Sequence, residues 1–278
     1  VGLIVFAGFL LWQRRRISHH VEPLLDISVL KNRLYILGNA ASVIQQAAFA
    51  GVLFILPVFL LQVTGESAFM TGVALLPMSL AIFVLSVTGG RLSSIVRPKV
   101  VILIGFLISA AGAYLLSSVF SQSTQIVDII PGTVIFGLGV GLLLSQLTNL
   151  TMSAVRRDQE IDASGFLNTA KNLGYSVGTA LIGVLLLVGI FDGLVSGISS
   201  STLVSNTTTQ EQIRQNLYAY TQKMQTTAPA SIPQSLIPEA QRIVDSTISS
   251  AMHLTFVALS LTLLLGFVIV LFLPRQAK

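Results

Sequence analysis

Gln45 and Gln46 stand in the middle of an apolar run, Leu34–Leu61, with Phe49 within one helical turn of both. Gln146 and Asn149 close a second such run beside Ser145, and Asn168, Asn172, Tyr175 and Ser176 open a third. Amides and a phenol at these positions have one kind of chemistry to offer, which is hydrogen bonding and aromatic contact without charge. Polar groups inside long apolar helices are expensive, so they face a cavity or another helix. A wide, weakly polar, aromatic-lined cavity for large apolar molecules would use Gln45, Gln46, Phe49, Gln146, Asn149, Asn172 and Tyr175. The competing role for each is an interhelical hydrogen bond.

The sequence offers little other chemistry. Acids cluster in short links, as Asp158, Glu160 and Asp162 do beside Arg156 and Arg157. That reads as a solvated, partly paired face. There is no nucleophile–base spacing, no phosphate loop and no metal motif, so no catalytic residue, metal or cofactor is expected. His19 and His20 have no third ligand nearby and read as a solvated interfacial pair. Gly137-x-Gly139-x-Gly141 lies inside an apolar run with no strand before it, unlike a dinucleotide fingerprint. Asp128 opens its run and reads as a charge at a helix N-terminus, with a proton-linked carboxylate as the alternative. His253 reads as an interfacial hydrogen-bonding group.

The elements that must hold these residues are apolar and long. Charged residues make up 10% of the 278 and hydrophobic residues 53%, with mean hydropathy +0.83. Soluble domains carry about 25% charge, so this surface belongs in lipid. Seven apolar segments follow one another: Val1–Trp12, Leu34–Leu61, Met70–Gly89, Val100–Phe120, Val127–Leu150, Phe166–Ile190 and Ile248–Leu273. A membrane span needs roughly 20 residues, and lipid leaves the backbone no partners outside a helix. The fold class is therefore an all-α, multi-span membrane bundle. The first segment has only twelve residues before Arg14, Arg15 and Arg16, so the chain reads as the C-terminal part of something longer.

The stretch Ala74–Lys99 sets the orientation. Gly89 and Gly90 are expected to turn the backbone sharply, and Arg91, Arg97 and Lys99 follow in a link too short to be a domain. Short cationic links stay in the cytoplasm. If the spans alternate from there, thirteen of the sixteen Lys and Arg, Lys171 included, fall on that side. The other three, Arg214, Lys223 and Arg242, fall in one long outside segment. The C-terminus is then cytoplasmic, the localisation a cell membrane, and the net charge of +5 needs no nucleic acid.

Domain organisation follows: a helical bundle over 1–190, a long extracytoplasmic loop over 191–247, and a last span with a cytoplasmic tail over 248–278. In the loop, Ile213, Leu217, Tyr220 and Met224 recur at helical spacing. Pro233 and Pro238 separate that stretch from a second helix running into the last span. The loop reads as a tolerated insertion, or as a lid or partner-binding element. Asn206-Thr207-Thr208 matches a glycosylation sequon, a pattern that occurs freely by chance. Leu24 to Leu30 suggests a short amphipathic surface helix within Gln13–Arg33. Glycines at 105, 112, 137, 139, 141, 174 and 178 give faces on which helices can approach closely. Pro57, Pro77 and Pro131 can kink or start spans.

Three stretches together resemble a known family. Leu56-Pro57-Val58-Phe59-Leu60-Leu61-Gln62-Val63-Thr64-Gly65-Glu66-Ser67, followed by Gly72 and Leu75-Leu76-Pro77, is similar to an outside turn of the major facilitator superfamily. The likeness is to its fourteen-span drug:proton antiporter group. Pro23-Leu24-Leu25-Asp26 with Lys31-Asn32-Arg33, and Asn168 through Gly178, resemble that group's lead-ins to two other spans. Gly90, Arg91, Arg97 and Lys99 resemble a degenerate copy of the superfamily's cytoplasmic loop motif, with Ser94 where an Asp stands and Arg97 where a Gly stands. The resemblance implies the second helical bundle of a secondary transporter, with a missing N-terminal bundle, a small-molecule substrate and protons as partners. It implies export of drug-like amphiphiles by alternating access. The alternatives are a related transporter of lipid, peptide or metabolite, or a membrane sensor or scaffold built on the long loop.

Overall fold

The computed structural model describes residues 27–92, 95–121, 123–199 and 237–274. The segment Val1–Trp12, the amphipathic stretch before Ile27, the sequon at Asn206, the helical spacing around Leu217, and Arg275 and Lys278 lie outside the described residues. Six helices carry the structure: α1 (Arg33–Gln62), α2 (Ala68–Leu92), α3 (Pro98–Leu116), α4 (Ile126–Met152), α5 (Glu160–Ser199) and α6 (Ile237–Leu271). Each is long and apolar enough to cross a membrane. The described residues form an all-helical bundle of membrane-span type.

The helices alternate in direction, so one end collects Lys31, Arg33, Arg91, Arg97, Lys99, Arg156 and Arg157. We call it the basic end. Around the bundle, α2 packs on α4, α4 on α3, α3 on α6, α6 on α5 and α5 on α1. Helices α1 and α4 close the ring through the middle, and α1 also packs on α6. The core between them is apolar and includes Ile55, Phe59, Phe106, Phe136, Leu143 and Phe256.

Glycine makes the tightest crossings. Lipid tails are as apolar as leucine, so helices associate through close packing rather than through escape from water. A Cβ at Gly174 would stand 2.6 Å from the carbonyl oxygen of Val43, and Gly178 faces Ala47 of α1 one turn on. The crossing of α4 with α2 repeats this arrangement, with Gly137 2.6 Å from the Met78 oxygen and Gly141 2.8 Å from that of Ile82. Two Gly-x-x-x-Gly steps thus lie on two carbonyl pairs.

Several boundaries differ from the sequence reading. Gly89 and Gly90 do not turn the chain: both are helical, and α2 continues to Leu92. Gly89 is there because Ser145 of α4 sits against it. The left-handed glycine is Gly65, at φ 70°, in the α1–α2 link. Helix α3 stops at Leu116, short of Phe120. Phe120 turns inward instead, stacking on Phe256 at 4.9 Å and meeting the edge of Phe59 at 4.7 Å. Pro57, Pro77 and Pro131 all lie within helices.

The last two helices are longer than their apolar segments. Helix α5 continues from Ile190 to Ser199, and α6 starts at Ile237 rather than Ile248. At about 1.5 Å per residue, α5 is about 60 Å long, roughly twice the hydrocarbon thickness. Glycine explains the persistence: Gly189, Gly193 and Gly197 face Ala251, Thr247 and Ile243 of α6. Pro238 falls in the first turn of α6, where its missing N–H costs no helical bond.

Gly174→Leu should lower the apparent Tm of the detergent-solubilised full-length protein, by overpacking worth about 1–3 kcal/mol. Gly72→Ala, where a Cβ meets nothing within 4 Å, should be neutral or gain up to about 1 kcal/mol of helix propensity. A thermal-unfolding scan of both variants separates the two cases.

Candidate functional site

The amide and aromatic residues fall into two groups. The first is buried. Gln146 is 2% exposed, and its Nε2 donates to the Gly89 carbonyl at 2.7 Å. That carbonyl belongs to the last turn of α2, where helical partners run out. Gln146 therefore ties α4 to the end of α2. Gln45 is 1% exposed, and its Nε2 has no hydrogen-bond partner among the described residues.

The second group is open. Asn149, Asn172 and Tyr175 are exposed, and Gln46 and Phe49 are half-buried. Asn149 Nδ2 donates within its own helix, to the Ser145 carbonyl at 3.2 Å. Asn168, Asn172 and Tyr175 recur at i, i+4 and i+7 on α5, so they share one face. Gln46 and Phe49 share a face of α1 for the same reason. Both helices are held together at Val43–Gly174, so these residues sit along one crossing.

A cation joins them. Lys171 is half-buried on α5, one turn before Gly174 and Tyr175, and its Nζ donates to Thr148 Oγ1 of α4 at 2.8 Å. The sequence reading had counted it among the link cations. A signal was present: Lys171 is the one Lys or Arg inside any of the seven apolar segments. Its bond spans α5 and α4, which otherwise touch little.

At the basic end, the residues resembling a loop motif have separate tasks. Gly90 and Arg91 lie in the last turn of α2, and Arg97 is the residue before α3, with Pro98 at its first position. Ser94 lies outside the described residues. Lys99 Nζ donates to the carbonyls of Leu271 and Leu273 at 2.8 and 2.6 Å, so it caps the C-terminus of α6. A cation there also meets the negative end of the helix dipole. Asn32 works similarly on α1. Its Oδ1 accepts from Leu34 N at 2.9 Å, and its Nδ2 donates to the Ala154 carbonyl at 2.9 Å. Tyr35 Oη donates to the Ala163 carbonyl at 2.7 Å. The start of α1 is thus fastened to both sides of the α4–α5 link.

Asp128, Asp158, Glu160 and Asp162 keep to helix ends, while Asp192 and Asp245 lie inside α5 and α6. Asp128 Oδ2 accepts from Gln125 N at 2.9 Å in a capping box at the start of α4. Arg156 and Asp158 pair at 3.4 Å with side chains 72% and 67% exposed, a pair worth at most about 1 kcal/mol. Among the described residues, no three His, Cys, Asp or Glu gather as a metal would need.

Lys99→Met removes a charge-assisted cap shared by two carbonyls and should destabilise by about 1.5–3 kcal/mol. Lys99→Arg should recover most of that. Apparent Tm in detergent, with Lys31→Met as a surface control, checks the difference.

Comparison with known proteins agrees with this architecture. The Major Facilitator Superfamily family model matches residues 1–179. Multidrug resistance protein Stp of Mycobacterium tuberculosis is 30% identical over 186 residues, covering 67% of this chain and 33% of that protein. The tetracenomycin C resistance and export protein of Streptomyces glaucescens is 28% identical over 191 residues, 69% of this chain and 35% of its own length. Multidrug export protein EmrB of Haemophilus influenzae is 28% identical over 160 residues, 58% of this chain and 31% of its own. The chain spans about a third of the length of these relatives. Six alternating apolar helices, glycine-stacked crossings and a family match over most of the chain lead to one assignment: this chain belongs to the major facilitator superfamily.

Proposed function

We infer that this chain is one helical bundle of a proton-driven exporter of drug-like amphiphiles, working by alternating access. The observation that carries the reading is the open amide and aromatic face at the α1–α5 crossing, formed by Gln46, Phe49, Asn172 and Tyr175, with Asn149 on α4. An amphiphile of mixed shape needs apolar area, aromatic contact and a few hydrogen bonds, and this face has all three. Gln146 and Gln45 lie behind it and shape it. The names of the relatives, which speak of multidrug resistance and export, point to the same class.

A second bundle completes the reading. Phe69, Leu76, Leu80, Phe83 and Val87 line one side of α2, each at least 60% exposed. They recur at alternating spacings of seven, four and three, so they form one stripe along the helix. Helix α5 is also open away from α1 and α6. The partner is an N-terminal bundle of the same polypeptide, consistent with relatives about three times as long. Alternating access then rocks the two bundles about the central face. The basic end faces the cytoplasm at a cell membrane, since Arg91, Lys99 and Arg156 gather there in or beside short links.

The open residues suit transport better than catalysis. They include no nucleophile beside a base and no acid. A scaffold acting through the long segment is distinguishable by deleting 200–236, which spares the packed ends of α5 and α6: lost partner binding with intact export would favour it.

Reconstituted full-length protein should release protons in exchange for an added aromatic dye across a liposome membrane. No dye-dependent proton flux overturns the coupling. Phe49→Ala and Tyr175→Ala should each weaken apparent dye affinity about 2- to 10-fold, the range expected for one aromatic contact. Unchanged dye transport in both variants would remove the α1–α5 crossing from the site.

A further inference from the structure

Lys171 is out of place as a topology marker. A cation that only orients a span sits in the link, where water surrounds it. Lys171 is eleven residues into α5, half-buried, on the helix carrying Asn172 and Tyr175. Its level follows from the crossings. Gly174 lies on Val43 and Gly38 lies against Thr151. One turn from each, Lys171 and Thr148 stand level with Asn39 and Ser42 of α1.

Its charge is uncompensated there. Among the described residues the ammonium has one hydrogen-bond partner, the neutral Thr148 hydroxyl. An ammonium has three N–H donors. Asn39 Oδ1, 8% exposed and without a partner, is another neutral oxygen at this level. Even with both oxygens engaged, one N–H and the full positive charge remain. The nearest acids on its own helix, Asp162 and Glu160, are about 13 and 16 Å away along the axis. Asp128 caps the far end of α4. This level of the bundle therefore carries the Lys171 ammonium with no acid beside it on α5.

We propose that Lys171 is a substrate-selecting residue, binding the acidic group of amphiphiles that carry a carboxylate beside an aromatic body. The proposal rests on the export reading above and names the chemical class of its substrates. The apolar and aromatic part of such a molecule lies on Phe49 and Tyr175, and its carboxylate takes the free N–H of Lys171. A permanently cationic molecule gains nothing at this position and meets a like charge.

The test uses two dyes with one xanthylium body: rhodamine B, which has a free carboxylate, and its ethyl ester, which does not. Full-length protein is reconstituted in proteoliposomes, and apparent KM and maximal rate are measured for both. The wild type should prefer rhodamine B by roughly 10-fold or more in apparent KM, the range for one hydrogen bond to a charged group. Lys171→Gln should abolish the preference by raising the apparent KM of rhodamine B to that of the ester or above it, and Lys171→Arg should keep it. A wild type that exports the ester as well as rhodamine B, or better, overturns the proposal without needing any variant to fold. Equal loss of both dyes in Lys171→Gln, with Lys171→Arg active, also overturns it and points to a pair with an acid of the other bundle. Export of neither dye by the wild type overturns the export reading and this proposal with it.

Discussion

Backbone meeting backbone holds this bundle together. Hydrocarbon supplies no hydrophobic drive between helices, so contact must come from surfaces that fit. Glycine lets a carbonyl of one helix rest directly on the Cα of another, and the structure uses this at α1–α5, α2–α4 and α3–α4, while at α5–α6 the glycines meet Cα and side-chain atoms. The first two crossings have the same form. In each, a Gly-x-x-x-Gly step of a later helix lies on two carbonyls, one turn apart, of an earlier one. These crossings also set the positions of the open residues. Tyr175, exposed on α5, lies beside the crossing because Gly174 and Gly178 bring α5 that close to α1.

Helix ends impose the second constraint. Each end leaves four backbone groups without helical partners, and in a membrane protein they cannot be left dry. The chain answers with residues distant in sequence. Lys99 reaches the end of α6, Gln146 the end of α2, and Asn32 joins the start of α1 to the α4–α5 link. All three act at the basic end, so the links there are tied into one layer. The opposite end has local devices: the Asp128 capping box and the left-handed Gly65.

The polar residues divide according to these constraints. Gln146 serves a helix end. Gln46, Phe49, Asn172 and Tyr175 serve none: Asn172 and Tyr175 are exposed and Gln46 and Phe49 half-buried, and these are the residues we propose for ligand contact. Lys171 bridges α5 to α4 through a neutral hydroxyl. Packing also carries α5 and α6 past the apolar runs. Gly193 and Gly197 continue the α5–α6 contact past the apolar run, so both helices extend beyond where hydropathy alone would end them.

Composition and spacing alone were enough for the class of fold, the number of complete spans and their alternation, and the resemblance of three stretches pointed to the family. Low charge, runs of about 20 apolar residues and cations in short links are one-dimensional signals, because a bilayer reads the chain one segment at a time. Glycine spacing likewise announced close crossings at Gly137, Gly141, Gly174 and Gly178. Which helix each glycine meets was not legible, because neighbours in a bundle are chosen by shape across a hundred residues. The same limit applied to Gly89, taken for a turn and found against Ser145, and to Phe120, assigned to a helix and found in an aromatic stack. It applied most to Lys171. Whether a lysine near a helix start orients a span or faces a ligand depends on what stands opposite, and Thr148 came opposite only when α4 and α5 were brought together against α1.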